Sequence, residues 1–143
     1  MFVNGLKEGH GKMRYKNGDM YDGQWKRGLY NEKGVLVCAT GGMERYDGTW
    51  DNGKQHGRGV LTYRNGSKYE GQFKEGKLHG TGTLTTATGV IFDGRWVDGR
   101  REGKASITVG PVNYASICTN GMMGKRESSF LVAPDVPYVF LDL

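Results

Sequence analysis

The chain has 143 residues, 25 of them glycine, and a formal charge of +5. The glycines recur at fixed positions rather than in strict triplets, which excludes a flexible linker and a collagen helix. No apolar run approaches the roughly 18 residues that span a bilayer, and the opening MFVNGLKEGHG lacks the apolar core of a secretory signal, so the expected setting is intracellular and soluble.

In chain order, residues 1–20 align without a gap to residues 49–68. Phe2 takes the place of Trp50, Gly5 that of Gly53, and Asn17-Gly18 that of Asn65-Gly66, while Glu8 stands where His56 is later. The chain thus opens midway through a repeat, as a worn first unit or a piece of a longer array would, and the second is the expectation. Repeat one, 21–45, begins YDGQW and carries two extra residues near Thr40-Gly41-Gly42-Met43. It has Asn31-Glu32 in the later His-Gly place. Repeats two and three, 46–68 and 69–91, both read Tyr, acid, Gly, any, aromatic, and then His-Gly-x-Gly-x-Leu, with a period of 23 residues. Repeat four, 92–113, opens FDGRW and replaces the His-Gly by Glu102-Gly103 and the last Gly by Ala105. A faint fifth unit, 114–125, follows, with Ser116 in a Gly place and Cys118 in the Trp place. Residues 126–143 belong to no repeat and are apolar, with Pro134 and Pro137 favouring an extended segment. A fixed period of this size marks a repeat architecture, and the degenerate terminal units suit a solenoid.

Strand alternation puts Tyr46, Gly48 and Trp50 on one face and Asp47 and Thr49 on the other. Gly57, Gly59, Leu61 and Tyr63 are expected to share a face on the second strand of that repeat. Each repeat is then a hairpin with an aromatic-and-glycine face and a polar face. Glycine weakens a strand unless something uses the space it leaves, and the natural tenant here is an aromatic ring. Asn17-Gly18 and Asn65-Gly66 read as two-residue hairpin turns with positive φ at both residues. The fold class is all-β: one elongated antiparallel sheet of tandem hairpins, a solenoid, with an extended tail and no helix. Cys38, read on the second strand of repeat one, and Cys118, on the first strand of the fifth unit, lie about 30–35 Å apart at the usual strand spacing. That distance forbids a bridge, so both read as small buried fillers.

The residues YDGQWKRG at 21–28, YDGTWDNGKQHGRGVL at 46–61, YEGQFKEGKLHGTGTL at 69–84 and FDGRWVDG at 92–99 resemble the MORN repeat, whose pattern is close to YxGxWxxGxxHGxGxL. The resemblance covers about residues 1–110 and departs at the His-Gly place in repeats one and four, which leaves the geometry there open. It implies a rod- or groove-shaped array that acts as a scaffold or adaptor. The expected setting is cytoplasmic and cytoskeleton-associated, in a ciliary, flagellar or axonemal assembly, with protein partners and, in some members, dimerising array ends. It also carries a proposal of phospholipid binding.

Catalytic and metal chemistry fit the residues poorly. His56 and His79 are one repeat apart, about 10 Å, too far to share a metal whose ligands lie within about 2 Å. The carboxylates of Asp22, Asp47, Glu70 and Asp93 repeat at the same interval and read as a solvated ladder, not a glycosidase pair. Gly121-Met122-Met123-Gly124-Lys125 has the wrong glycine spacing for a phosphate loop. The reading is a non-enzyme with no cofactor, no metal and no nucleic-acid partner, because its basic residues alternate with acids.

The candidate partner-binding residues are Tyr21, Trp25, Tyr46, Trp50, Tyr69, Phe73, Phe92 and Trp96, with the tyrosines the expected contacts; the alternative is that packing between repeats consumes these rings. Truncating Tyr46 and Tyr69 together is expected to abolish capture and leave the array folded. The alternative is docking to anionic lipid, such as phosphoinositide, through Lys26, Arg27, Lys54, Arg58, Lys74, Lys77, Arg95, Arg100 and Arg101. In the tail, Phe130, Tyr138 and Phe140 are candidate contacts, as a cap on the last repeat or as a strand added to a partner or second copy.

Overall fold

The computed structural model describes residues 1–119 and 122–126. The tail contacts Phe130, Tyr138 and Phe140 lie outside the described residues. Among those described there is no helix. Strands β1 (Phe2–Val3), β2 (Leu6–Lys7) and β3 (Gly9–Arg14) form the opening half-unit. Four hairpins follow: β4 (Met20–Lys26) with β5 (Leu29–Val37), β6 (Met43–Asp51) with β7 (Lys54–Tyr63), β8 (Lys68–Lys74) with β9 (Lys77–Thr85), and β10 (Ile91–Val97) with β11 (Arg100–Val109). The fifth unit supplies β12 (Val112–Thr119) and β13 (Met122–Arg126). Strands β3 to β13 pair with their sequence neighbours in one 11-stranded antiparallel sheet, and β1 and β2 pair separately. The single sheet of hairpins is the architecture that the 23-residue period predicts.

Register is the main feature of this sheet. Gly11 faces Gly23, Gly23 faces Gly34, and the glycine row continues without a slip through Gly48, Gly59, Gly71 and Gly82 to Gly94, then Ala105 and Ser116. A parallel row runs Met13, Tyr21, Leu36, Tyr46, Leu61, Tyr69, Leu84, Phe92 and Ile107. These two rows and the tryptophans beyond them form the core.

The two-residue turns fall elsewhere than at Asn17-Gly18 and Asn65-Gly66. They close each repeat just after the Trp position, as at Asn52 (φ 47°) and Gly53 (φ 82°), the left-handed pair of a tight hairpin. Asn4-Gly5, Arg27-Gly28, Glu75-Gly76 and Asp98-Gly99 repeat it. Asn17 and Asn65 sit in longer loops at the opposite edge. Their side-chain oxygens accept the Asp19 and Ser67 amides at 3.0 and 2.8 Å, an Asx turn that competes with the left-handed turn. The alternation expected through Gly57 is also interrupted. Gly48 faces Gly59 but Trp50 faces Gln55, so three residues of β7 bulge opposite Thr49 alone. Gly57, at φ 82°, supplies the left-handed residue of the bulge. Repeats one and four keep this geometry despite lacking His-Gly, with Glu32 at φ 60° and Gly103 at φ 75°.

Candidate functional site

The aromatic face is built by rings lying over bare backbone. A side-chain carbon at Gly59 would meet the Tyr46 hydroxyl at 2.5 Å, and one at Gly82 would meet that of Tyr69 at 2.1 Å. The hydroxyls donate onward to the Gln24, Thr49 and Gln72 carbonyls at 2.8, 2.8 and 2.9 Å for Tyr21, Tyr46 and Tyr69. Those acceptors are the residues opposite the bulges, so each tyrosine ties its ring to the irregular point of its own hairpin. Trp25, Trp50 and Trp96 donate their indole N–H to the carbonyls of Gly11, Gly34 and Gly82, each in the preceding unit. Tyrosine thus fastens within a repeat, and tryptophan fastens one repeat to the one before it.

The rings also meet edge to face in an unbroken series. Tyr21 lies 5.1 Å from Trp25 and 5.8 Å from Trp50, Tyr46 lies 4.8 Å from Trp50 and 5.0 Å from Phe73, and Tyr69 lies 5.2 Å from Phe73 and 5.4 Å from Trp96. Such pairs are each worth about 0.5–1.5 kcal/mol beyond area burial. Tyr30, which lies outside the repeat pattern, stacks on Tyr21 at 3.8 Å and fits between Trp25 and Trp50. Its only sequence signal is an aromatic residue two positions after the turn glycine, where the later repeats have Gln55, Leu78 and Arg101. Repeat four uses a matched exchange: Phe92 has no hydroxyl, and Ala105 occupies the corresponding glycine place.

All eight proposed contact rings are buried, and the tyrosines most deeply, with Tyr46 and Tyr69 at 0% exposure. The expectation that the tyrosines are the contacts is therefore corrected in favour of packing: a long ring on a glycine strand folds down to reach a carbonyl. Removing Tyr46 and Tyr69 would open cavities and break this ladder, so that substitution tests stability rather than capture. Packed against these rings and only partly buried are apolar side chains that include Met13, Leu36, Met43 and Tyr63. Burial pushes the Tyr21, Tyr63 and Tyr69 hydroxyls up to about 12 from an ordinary 10, and that of Tyr46 further.

The tight turns line one edge of the sheet. The amides of Gly28, Gly53, Gly76 and Gly99 donate to the carbonyls of Lys7, Tyr30, Gln55 and Leu78, so every turn rests on the unit before it. His56 Nδ1 accepts the Glu75 amide at 3.4 Å, and Glu8, in the matching place, accepts the Arg27 amide at 3.0 Å. At these two places the residue supplies a turn-capping acceptor, whereas Nδ1 of His79, in the matching place of repeat three, is buried without a hydrogen-bond partner among the described residues. Lys26, Arg27, Lys54, Lys74, Lys77 and Arg100 are exposed along this edge. Arg101 is not available to a lipid: it is 4% exposed and its guanidinium lies 4.5 Å from the Phe92 ring centre. Cys38 lies just beyond β5 rather than on it, in the lengthened loop, where its carbonyl and that of Gly41 accept from the Arg64 guanidinium.

The opposite face carries the carboxylate ladder. Asp22 faces Lys12 and Val35, Asp47 faces Val35 and Val60, Glu70 faces Val60 and Thr83, and Asp93 faces Thr83 and Ser106. His10 and Lys12 lie 2.8 and 3.9 Å from Asp22, and Arg45 lies 3.6 Å from Asp47. These acids are solvated and separated by a strand. Among the described residues no group of three or more His, Cys, Asp or Glu could hold a metal ion.

Stacked hairpins with an aromatic ladder over a glycine row define a β-repeat protein, whose surfaces recur along one axis. The MORN repeat profile matches residues 1–20, 21–43, 46–68, 69–91 and 92–108. The chain belongs to the MORN-repeat family, whose repeats are in general protein- and lipid-binding modules rather than enzymes. Among curated proteins, none matches the chain significantly.

Proposed function

We propose that the chain is a non-catalytic scaffold that holds an extended protein partner along its aromatic face, within a cytoskeletal or ciliary assembly. The observation that carries this reading is the continuous row of rings packed over the glycine row. Buried rings make a rigid floor, and partly buried apolar side chains packed against it come from the neighbouring strands β5, β6 and β7, as an extended segment with apolar side chains laid across the sheet requires. The rings set the floor's height and stiffness, and Leu36, Met43 and Tyr63 supply the contacts. The test is detergent extraction of cells carrying the tagged protein, with Leu36→Gln/Met43→Gln beside wild type. Retention of wild type with the insoluble cytoskeleton and release of a folded double variant is the expected result. Release of wild type into the cytosol would refute the reading.

A second reading, docking to anionic phospholipid, is favoured by the basic residues along the tight-turn edge. Each is worth about 1 kcal/mol near an anionic surface, reduced by neighbouring Asp51, Glu75 and Asp98. Flotation with phosphoinositide vesicles at physiological salt tests it, and Lys74→Glu/Lys77→Glu should abolish flotation.

A further inference from the structure

Where the second strands end on the outer, carboxylate-bearing face, repeat one is the one described repeat with an apolar residue at both outward positions. The two outward positions at the end of each second strand are Val35 and Val37 in repeat one, Val60 and Thr62 in repeat two, Thr83 and Thr85 in repeat three, and Ser106 and Thr108 in repeat four. Met20 faces Val37 across β4 and is 41% exposed. These three side chains line a hollow of about 550 Å³ rimmed by Lys12, Arg14 and Arg45, with Asp22 also on the lining but paired with His10 and Lys12. Lys12 and Arg45 each have an acid within 4 Å, whereas Arg14 has no ion pair among the described residues. An apolar floor with a cationic rim fits an extended segment that is both apolar and acidic.

The chain contains such a segment. Residues 127–143 carry Glu127, Asp135 and Asp142 and no lysine or arginine, and Asp135 and Asp142 bracket the run Val-Pro-Tyr-Val-Phe-Leu. It does not reach its own hollow. From β13 to β5 is eight strand steps, about 38 Å along the sheet, and residues 127–135 cover about 30 Å when fully extended. We propose that residues 136–141 of one copy lie in the Met20–Val35–Val37 hollow of a second copy, with Asp135 and Asp142 at the cationic rim. Because the hollow and the segment are different surfaces, the contact is heterologous and joins copies head to tail.

Sedimentation velocity of the full chain over a micromolar concentration series tests this. Wild type should form a concentration-dependent series of oligomers, which a synthetic peptide of residues 127–143 dissolves. Arg14→Glu/Arg45→Glu should weaken assembly by at least about tenfold. Val35→Thr/Val37→Thr should do likewise, and it installs residues that repeat three already carries at these positions, so the fold is kept. Lys68→Glu, on the same face but outside the hollow, should change nothing. A monomeric wild type overturns the proposal, whether the tail then closes on its own chain or the hollow binds anionic vesicles instead. Unchanged assembly in both double variants also overturns it.

Discussion

The exchange in repeat four invites a direct test of the aromatic ladder. A methyl group placed at Gly82 would lie 2.1 Å from the Tyr69 hydroxyl and 2.3 Å from the ring carbon that bears it. Gly82→Ala must therefore displace a ring with 0% exposure and break its 2.9 Å bond to the Gln72 carbonyl. Overpacking costs about 1–3 kcal/mol and the lost hydrogen bond about 1. The lower backbone entropy of alanine returns about 0.5–1, which leaves a loss of about 1–3.5 kcal/mol. Tyr69→Phe alone should cost about 1–1.5 kcal/mol, the value of a buried hydroxyl bond. Together the two changes recreate the Phe92–Ala105 arrangement. The double variant should then lose only about 1.5–2 kcal/mol, a favourable coupling of about 2. Urea denaturation followed by the fluorescence of Trp25, Trp50 and Trp96 measures all four corners of the cycle. Additive losses, within the roughly 0.5 kcal/mol seen for independent sites, would refute the idea that the hydroxyl and the glycine are one device.

Two further outcomes follow from the backbone and from the buried phenols. Glu32 holds the left-handed bulge position at φ 60°, where later repeats place Gly57, Gly80 and Gly103; Glu32→Gly should raise stability by about 0.5 kcal/mol in urea titration, and a loss would show that Glu32 is held by something other than the bulge. Tyr21 and Tyr69 are pushed up to about 12, above the ordinary 10 that applies in the unfolded chain. Their contribution is complete below pH 10 and is lost as pH rises through about 12, because only the unfolded state ionises freely in that window. Tyrosinate absorbance should therefore rise together with the loss of strand circular dichroism, and full ionisation near pH 10 with a native spectrum would refute it.

Much of this fold was legible because the chain repeats its instructions. Tyr-x-Gly-x-Trp and Gly-x-Gly-x-Leu recur at a fixed interval, so alternation alone set the two faces, the pairing order and the idea that rings occupy the space above glycine. Turn placement was less legible: Asn65-Gly66 and Asn52-Gly53 are the same dipeptide, yet only the second is a two-residue turn. What separates them is the register of the flanking strands, a nonlocal property, together with the Asx turn at Asn65. The exposure of the candidate site was not legible at all. Sequence places Tyr46 and Tyr69 on the aromatic face, but whether a ring stands up toward a partner or lies down on its own hairpin depends on a carbonyl made available by the bulge at Gly57 and Gly80. Nor does one repeat show that Val35 and Val37 form a hollow with Met20, since those residues come from adjacent strands. Sequence by itself determined the repeat, the sheet and the chemistry of each face, because these follow from local periodicity. The tertiary structure alone decided which side chains are consumed by packing and which are left for partners, because that depends on register between strands and on the reach of each ring.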